Sequence, residues 1–340
     1  MDTVEATFHI DVCDPSGGVV SRVSGKSDSF LRNFMQLLKG ALTKSNQPVV
    51  TVSGETASTY GFSAYPTAYD VIDRGIVIGS GSAAVTADDF ALDAEFPTSV
   101  FRYSPVIVPY PRNISVEGEA VEIDMMSRSF ANISDTDAVI NELGIKFYSG
   151  SAPVLVLRDV LTDPVTVPAG FVVSVKYVFN TPAGFSSNFL KLMGNSIVGS
   201  SAMEVVDTTG AYRSVSPAGI MNVMAPTADI SYGIVVGSDA TPATAEDHAI
   251  VSPISAGDED GNLIYGQTSC GAVEVVGSTI RLHVARGVIN MGEVPVTIRE
   301  AAMICNVGGY NILLIRAAFD DFVVPPGEGA NIDIVLQTTV

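Results

Sequence analysis

The chain has 340 residues, 47% hydrophobic and only 16% charged, which excludes disorder and leaves apolar material for two cores of about 150 residues each. Its 18 Lys and Arg face 37 Asp and Glu, a formal net charge of −19, so phosphate backbones and anionic lipid headgroups are repelled; no nucleic acid and no membrane partner is expected. Met1-Asp2-Thr3-Val4-Glu5 lacks the basic and apolar regions of a secretory signal, and no apolar run approaches the ~20 residues of a membrane span, which predicts synthesis in a cytoplasm.

From the N-terminus, Val4, Ala6, Phe8, Ile10 and Val12 alternate with Glu5, Thr7, His9 and Asp11, the period of a half-buried strand. Asp14-Pro15-Ser16-Gly17-Gly18 supplies turn chemistry and Val19-Val20-Ser21-Arg22-Val23 returns as the partner. Residues 1–27 therefore read as an N-terminal β-hairpin arm, its free edge available to a neighbouring chain. Ser27-Asp28-Ser29 offers N-cap oxygens ahead of Phe30, Leu31, Phe34, Leu37, Leu38 and Leu42, an apolar stripe at helical spacing that predicts a helix capping the open end of a sheet. Thr51 to Thr67 is a polar, Gly- and Pro-containing loop or lightly structured edge. Strands follow at Gly75–Ile78, Ser104–Val108, Val121–Met125, Leu143–Tyr148, Val154–Arg158 and Phe171–Phe179.

Much of this is then said again. Gly75-Ile76-Val77-Ile78-Gly79-Ser80 returns as Gly233-Ile234-Val235-Val236-Gly237-Ser238, and Thr86-Ala87-Asp88-Asp89 returns as Thr244-Ala245-Glu246-Asp247, both at a spacing of 158 (233 − 75, 244 − 86). Arg128 and Arg286, Asn132 and Asn290, Glu142 and Glu300, and Arg158 and Arg316 keep the same spacing. The expected fold is all-β: two tandem jelly-roll-like sandwiches from an internal duplication, residues 28–181 and 182–340, each opened by a short helix. The second helix is read from Ser187-Asn188 through Phe189, Leu190, Leu192, Met193 and Ile197, with a second loop from Asp207 to Thr227. Thr181-Pro182-Ala183-Gly184 is the natural joint.

No stretch carries a strong chemical signature. Gly25-Lys26-Ser27 resembles the end of a phosphate loop, but the leading glycine position holds Val20, so an ordinary helix start is expected there. Gly79-Ser80-Gly81 is a weak dinucleotide fingerprint, absent from the second copy at Asp239, and a hairpin turn is the expectation. His9, His248 and His283 lack a recognisable nucleophile context. Asp88-Asp89 and Glu246-Asp247 look like acids near capped turns led by Thr86 and Thr244, rather than a glycosidase pair. Asp258-Glu259-Asp260-Gly261-Asn262 has the oxygen density for calcium without the spacing of a calcium loop. Cys13, Cys270 and Cys305, odd in number and widely spaced, read as packed small residues. The expected catalytic, cofactor-binding and metal residues are none, and no cofactor is expected.

Taken together, the Asp-x-x-Gly hairpin, Ser29-Phe30-Leu31-Arg32-Asn33-Phe34-Met35-Gln36-Leu37-Leu38, Gly75 to Gly81 with Val85 to Leu92, and Leu157-Arg158-Asp159-Val160-Leu161 with Pro164 to Gly170 resemble structural proteins of tailed bacteriophages and related archaeal tailed viruses. The resemblance covers residues 1 to about 181; the second copy follows in outline, with Ala317 in place of Asp159 and Phe322 in place of Pro164. It implies a non-enzymatic role in the virion: a homo-oligomer on the capsid's outer surface that decorates, cements or forms turrets on the major capsid protein. The alternatives are a tail, baseplate or fibre component and, from another class, a carbohydrate-binding or glycoside-cleaving β-sandwich; the absence of Trp weakens glycan binding without removing it.

Overall fold

A computed structural model describes residues 5–27, 29–60, 68–109, 114–117, 120–150, 152–181, 184–198, 202–216 and 221–340. Val4, Asp28, Pro182, Ala183, residues 61–67 and 217–220 of the two expected loops, and the side chain of Ile197 lie outside them. The first half runs β1 (Glu5–Cys13), β2 (Val19–Ser27), α1 (Arg32–Thr43), β3 (Gln47–Val50), β4 (Thr56–Thr59), β5 (Gly75–Gly79), β6 (Phe101–Tyr103), β7 (Ile114–Glu117), β8 (Ala120–Asn132), β9 (Ala138–Tyr148), β10 (Pro153–Val167) and β11 (Val172–Thr181). The second runs α2 (Ser187–Val198), β12 (Met203–Val206), β13 (Tyr212–Val215), β14 (Gly233–Gly237), β15 (Ile264–Tyr265), β16 (Ser269–Val276), β17 (Thr279–Ile289), β18 (Val296–Val307), β19 (Tyr310–Val324) and β20 (Gly329–Thr339).

The protein is nearly all β, and the pairings between named strands are antiparallel. In the first half one sheet has the order β2-β1-β11-β8-β6, with β7 also on β8, and a second has the order β10-β9-β5. In the second half β15 and β16 share one side of β17 while β20 takes the other, and the remaining sheet is β14-β18-β19. Leaving aside β1 and β2, similar pairings occur in both halves: Val175 of β11 lies opposite Arg128, and Ile332 of β20 lies opposite Arg286.

The N-terminal hairpin is no protruding arm. β1 pairs with β11 from Glu5↔Asn180 to Cys13↔Val172, and the alternation read from the sequence buries Ala6, Phe8, Ile10 and Val12. Its distant partner, 159 (172 − 13) to 175 (180 − 5) residues along the chain, is invisible to local pattern. Gly25-Lys26-Ser27 closes β2 instead of opening a helix, with Lys26 Nζ 2.8 Å from Glu5. The helix is entered at Leu31 without a side-chain cap. Backbone bonds set the entry instead: Leu31 N–H to Val156 O and Arg32 N–H to Ala87 O, both 2.9 Å.

The strand expected at Ser104–Val108 is displaced to Phe101–Tyr103. Pro105 has no N–H to give a ladder, and the Ser104 carbonyl is taken by Arg128 Nε at 2.8 Å. Each expected loop contains the second strand of a small hairpin whose first strand precedes it, β4 on β3 and β13 on β12.

The helices join the halves. α1 packs on β3 and β10 of its own half and on β16 and β17 of the other, while α2 packs on β12 and β19 and crosses to β8. One buried cluster consequently runs from Ala6, Phe30 and Leu38 to Phe189, Leu282 and Leu336. The Val223 N–H donates to the Leu42 carbonyl at 2.9 Å across the same seam.

Candidate functional site

The repeated phrases converge on two buried ion networks. Glu142 of β9 and Arg158 of β10 are diagonal across an antiparallel pair, opposite Val160 and Gly144, and Arg158 Nε lies 3.0 Å from Glu142 Oε2. Arg158 Nη1 reaches Asp89 at 2.6 Å, and Nη2 donates to the Ala83 carbonyl at 3.1 Å. The fully buried Glu142 also accepts from the N–H groups of Gly81, Asp93 and Ala94 at 3.1, 3.0 and 2.7 Å. In the second half Arg316 Nε meets Glu300 at 2.7 Å, Nη1 meets Asp247 at 2.8 Å, and Nη2 donates to Thr241 O at 2.9 Å. Burial disfavours both guanidinium charges, but the hydrogen-bonded carboxylates outweigh it and hold their pKa values above the ordinary arginine range.

This geometry explains the glycines and the acids of the repeat. A Cβ on Gly79 would stand 2.5 Å from Glu142 Oε1 and 2.6 Å from the Ala94 carbonyl, so glycine admits the carboxylate there, not a phosphate. Gly237 makes the matching approach to Glu300 and Ser252. Gly79-Ser80-Gly81 opens a long loop in place of a tight hairpin turn: the chain returns to β5 at Ala94 to Phe96, where the Ser80 N–H donates to the Ala94 carbonyl and the Phe96 N–H to that of Ile78, and the Gly81 N–H serves Glu142. The turns at Thr86 and Thr244 are as expected: Asp89 accepts from the Thr86 N–H and hydroxyl at 3.2 and 2.6 Å, and Asp247 from those of Thr244 at 3.0 and 2.9 Å. Asp88 turns to an exposed pair with Arg32 at 2.9 Å, whereas Asp89 goes to the buried Arg158.

A second repeated pair uses carbonyls in place of carboxylates. Arg128 donates to the carbonyls of Ser104, Ile76 and Val71 at 2.8, 3.0 and 2.6 Å, and Arg286 to those of Gly266, Ile234 and Asp229 at 2.7, 2.9 and 2.7 Å. Each guanidinium also lies 4.9 Å from a buried tyrosine ring, Tyr103 or Tyr265. Burial lowers the pKa of Arg128 to about 10 and that of Arg286 in the same direction, and it pushes Tyr265 up to about 12. Asn132 and Asn290 repeat as well, each amide spanning two carbonyls, Thr136 with Val167 and Val294 with Val324. Asn33 and Asn188 each exchange two hydrogen bonds with one residue, Val50 or Val206. Sequence reading missed this last pair, although Phe30-x-x-Asn33-Phe34 and Phe185-x-x-Asn188-Phe189 are legible once a spacing of 155 (185 − 30) is allowed.

The other candidate residues scatter. His283 has a partner after all, Asp333 Oδ2 at 2.7 Å from Nδ1. His9 lies beside Glu122, Asp124 and Lys176 in a shallow dish of about 400 Å3, where Lys176 and Asp124 pair at 2.6 Å. His248 stands over Gly210 in a loop. In the Asp258–Asn262 loop Asp260 accepts from the Glu293 N–H at 2.6 Å, and among the described residues no three His, Cys, Asp or Glu side chains group as metal ligands. Cys13, Cys270 and Cys305 are free thiols; burial raises Cys270 to about 11 and Cys305 further.

Compared with known proteins, the chain matches no family model, no curated protein and no solved structure.

Proposed function

We propose that the chain is a non-enzymatic structural component of a tailed-virus particle, built as two tandem jelly-roll-like sandwiches from a duplicated ancestor. It oligomerises on the capsid's outer surface and binds the major capsid protein as a decoration, cement or turret subunit. The observation that carries this is where the ionisable groups go. The repeated arginines and acids are paired inside the scaffold, holding loops to strands, while among the described residues the outer strands β2 and β20 each pair with strands on one side. A net charge of −19 suits a surface facing water over one facing packaged nucleic acid.

Antibody labelling of purified particles tests the reading. Label distributed over the capsid shell supports it; label confined to the tail or baseplate moves the protein to the alternative station, and unlabelled particles end the virion assignment.

A further inference from the structure

In the first half the outer edge of β11 is covered by β1 of the hairpin, from Glu5↔Asn180 to Cys13↔Val172, whereas among the described residues the matching edge of β20 in the second half pairs with no strand. The surroundings register the same difference. Leu161 and Val165 of β10 are buried, at 6% and 3% exposure, in the cluster that holds Phe8, Ile10 and Val12. Their counterparts on β19, Phe319 and Phe322, are larger, yet they are 38% and 46% exposed. Val173 and Val175 of β11 are fully buried, while Ala330 and Ile332, at the same places on β20, are only half-buried. An open ladder edge beside uncovered apolar side chains is the shape that an antiparallel strand fills elsewhere in this same molecule.

The chain's other long edges are blunted, and that of β20 is not. β10 and β19 are met by the segments that enter the helices, where the Leu31 N–H donates to Val156 O and the Ser186 N–H to Leu314 O, both at 2.9 Å. β5 and β14 are met by returning loops, through the Phe96 N–H on Ile78 O and the Ile254 N–H on Val236 O. The ladder of β16 slips between Cys270 and Val273, and that of β2 slips opposite Val12 and Cys13, where β2 also carries Arg22 and Lys26. β20 keeps one continuous register with β17, from Gly329↔Ile289 to Thr339↔Thr279, and contains no Lys, Arg or Pro. Its one ionisable side chain, Asp333, is held by His283 at 2.7 Å. Among the described residues, a second β20 is therefore the edge that matches this one in length and regularity and brings no cation or bulge against it.

We propose that β20 pairs with β20 of a second copy about a two-fold axis, joining two β17–β20 sheets into one. A two-fold axis perpendicular to a sheet makes the two edge strands antiparallel, the sense in which β1 meets β11. With Ile334, the middle residue of Gly329–Thr339, on the axis, the whole strand finds partners. Ile332 then faces Leu336 of the second copy and Asp333 faces Val335, so the two acids do not oppose one another. Ile332, Ile334 and Leu336 of both copies stay on the core face of the joined sheet, where Ala330 and Ile332 now pack against the cluster half-covered. The contact rests on the reading of the chain as an assembling subunit and names the surface through which it assembles with itself.

The test uses the full chain and two substitutions at Val335, a half-buried residue on the outer face opposite His283. V335D sets an acid against Asp333 of the second copy on both sides of the axis; V335K sets a cation there. By light scattering the wild type and V335K are expected at twice the 35.5 kDa of one chain, and V335D at the mass of one chain with an unchanged melting temperature. Should V335D lose its native melt, N331D/Q337E replaces it, because residue 331 of one copy faces residue 337 of the other, and the same loss of dimer is required. A wild type that is monomeric at high concentration overturns the proposal and leaves the edge to a strand of another protein. A V335D chain that assembles like the wild type overturns it in favour of another surface, and a V335K chain that stays monomeric overturns the stated pairing. A monomeric wild type overturns this contact without touching the assignment to the virion, which particle labelling reads separately.

Discussion

At the scale of single residues, the protein repeats its costly features and little else. Glu142 and Glu300 each face a buried arginine and backbone N–H donors, so losing the charge takes the fully buried carboxylate from each guanidinium and leaves it the partly exposed Asp89 or Asp247. Glu142→Gln and Glu300→Gln are each expected to lower stability by about 3–5 kcal/mol in denaturant unfolding, the range for a buried pair deprived of one partner. A loss below about 1 kcal/mol in either would put these pairs in the class of exposed ion pairs and contradict the burial argument. An apolar replacement of both partners is no remedy in the first half, because the N–H groups of Gly81, Asp93 and Ala94 would be left without an acceptor. Asp207 supplies a pH prediction. The Thr209 hydroxyl and Arg213, with two backbone N–H groups, hold its carboxyl well below the ordinary value of 3.8, so the unfolded chain binds its proton more readily. Its contribution is therefore complete above the unfolded carboxylate pKa and is lost as pH falls below it. Thermal melts of Asp207→Asn between about pH 2 and 4 should show a shallower fall of melting temperature with acid than the wild type, and parallel curves would refute the assignment.

Among the elements, the N-terminal hairpin departs furthest from its reading in the sequence. Alternation identified the buried face of β1 residue by residue, and Asp14 to Gly18 identified the turn, in which Asp14 accepts from the Ser16 and Gly18 N–H groups at 2.8 and 2.9 Å. Neither signal says what the face is buried against, and an arm and a core strand have the same period. The repeats were legible for the opposite reason: Gly79, Glu142 and Arg158 are tied to one another by close approach, so each fixes the identity of the next. The helices were legible as apolar stripes, but a stripe does not name its partner, and α1 and α2 each spend part of theirs on the other half. A consequence follows for truncation. Removing residues 1–27 strips β1 from β11 and uncovers the core at Val173, Val175 and Phe179, so the shortened chain is expected to lose its cooperative melt and to aggregate. A truncated chain with native far-ultraviolet circular dichroism and a melting temperature near that of the wild type would show that the hairpin is dispensable to the fold.

For the whole molecule, the question is whether two similar halves amount to two independent units. Each has its own sheets and its own buried charge network, which favours independence. Against it stand the crossed helices: Leu38 and Leu42 share a cluster with Leu282 and Val284, and α2 lies on β8. Elements that bury one face on each half carry the cooperativity of both, because releasing either helix exposes apolar surface on two sheets at once. Calorimetry of the full chain is accordingly expected to show one transition with calorimetric and van't Hoff enthalpies in agreement. Residues 1–181 and 182–340 produced separately are each expected to lack a cooperative melt, since each leaves a helix face and the opposing strands uncovered. Two resolved transitions in the full chain, or a half that melts sharply by itself, would show that the helices lie on the seam without coupling it.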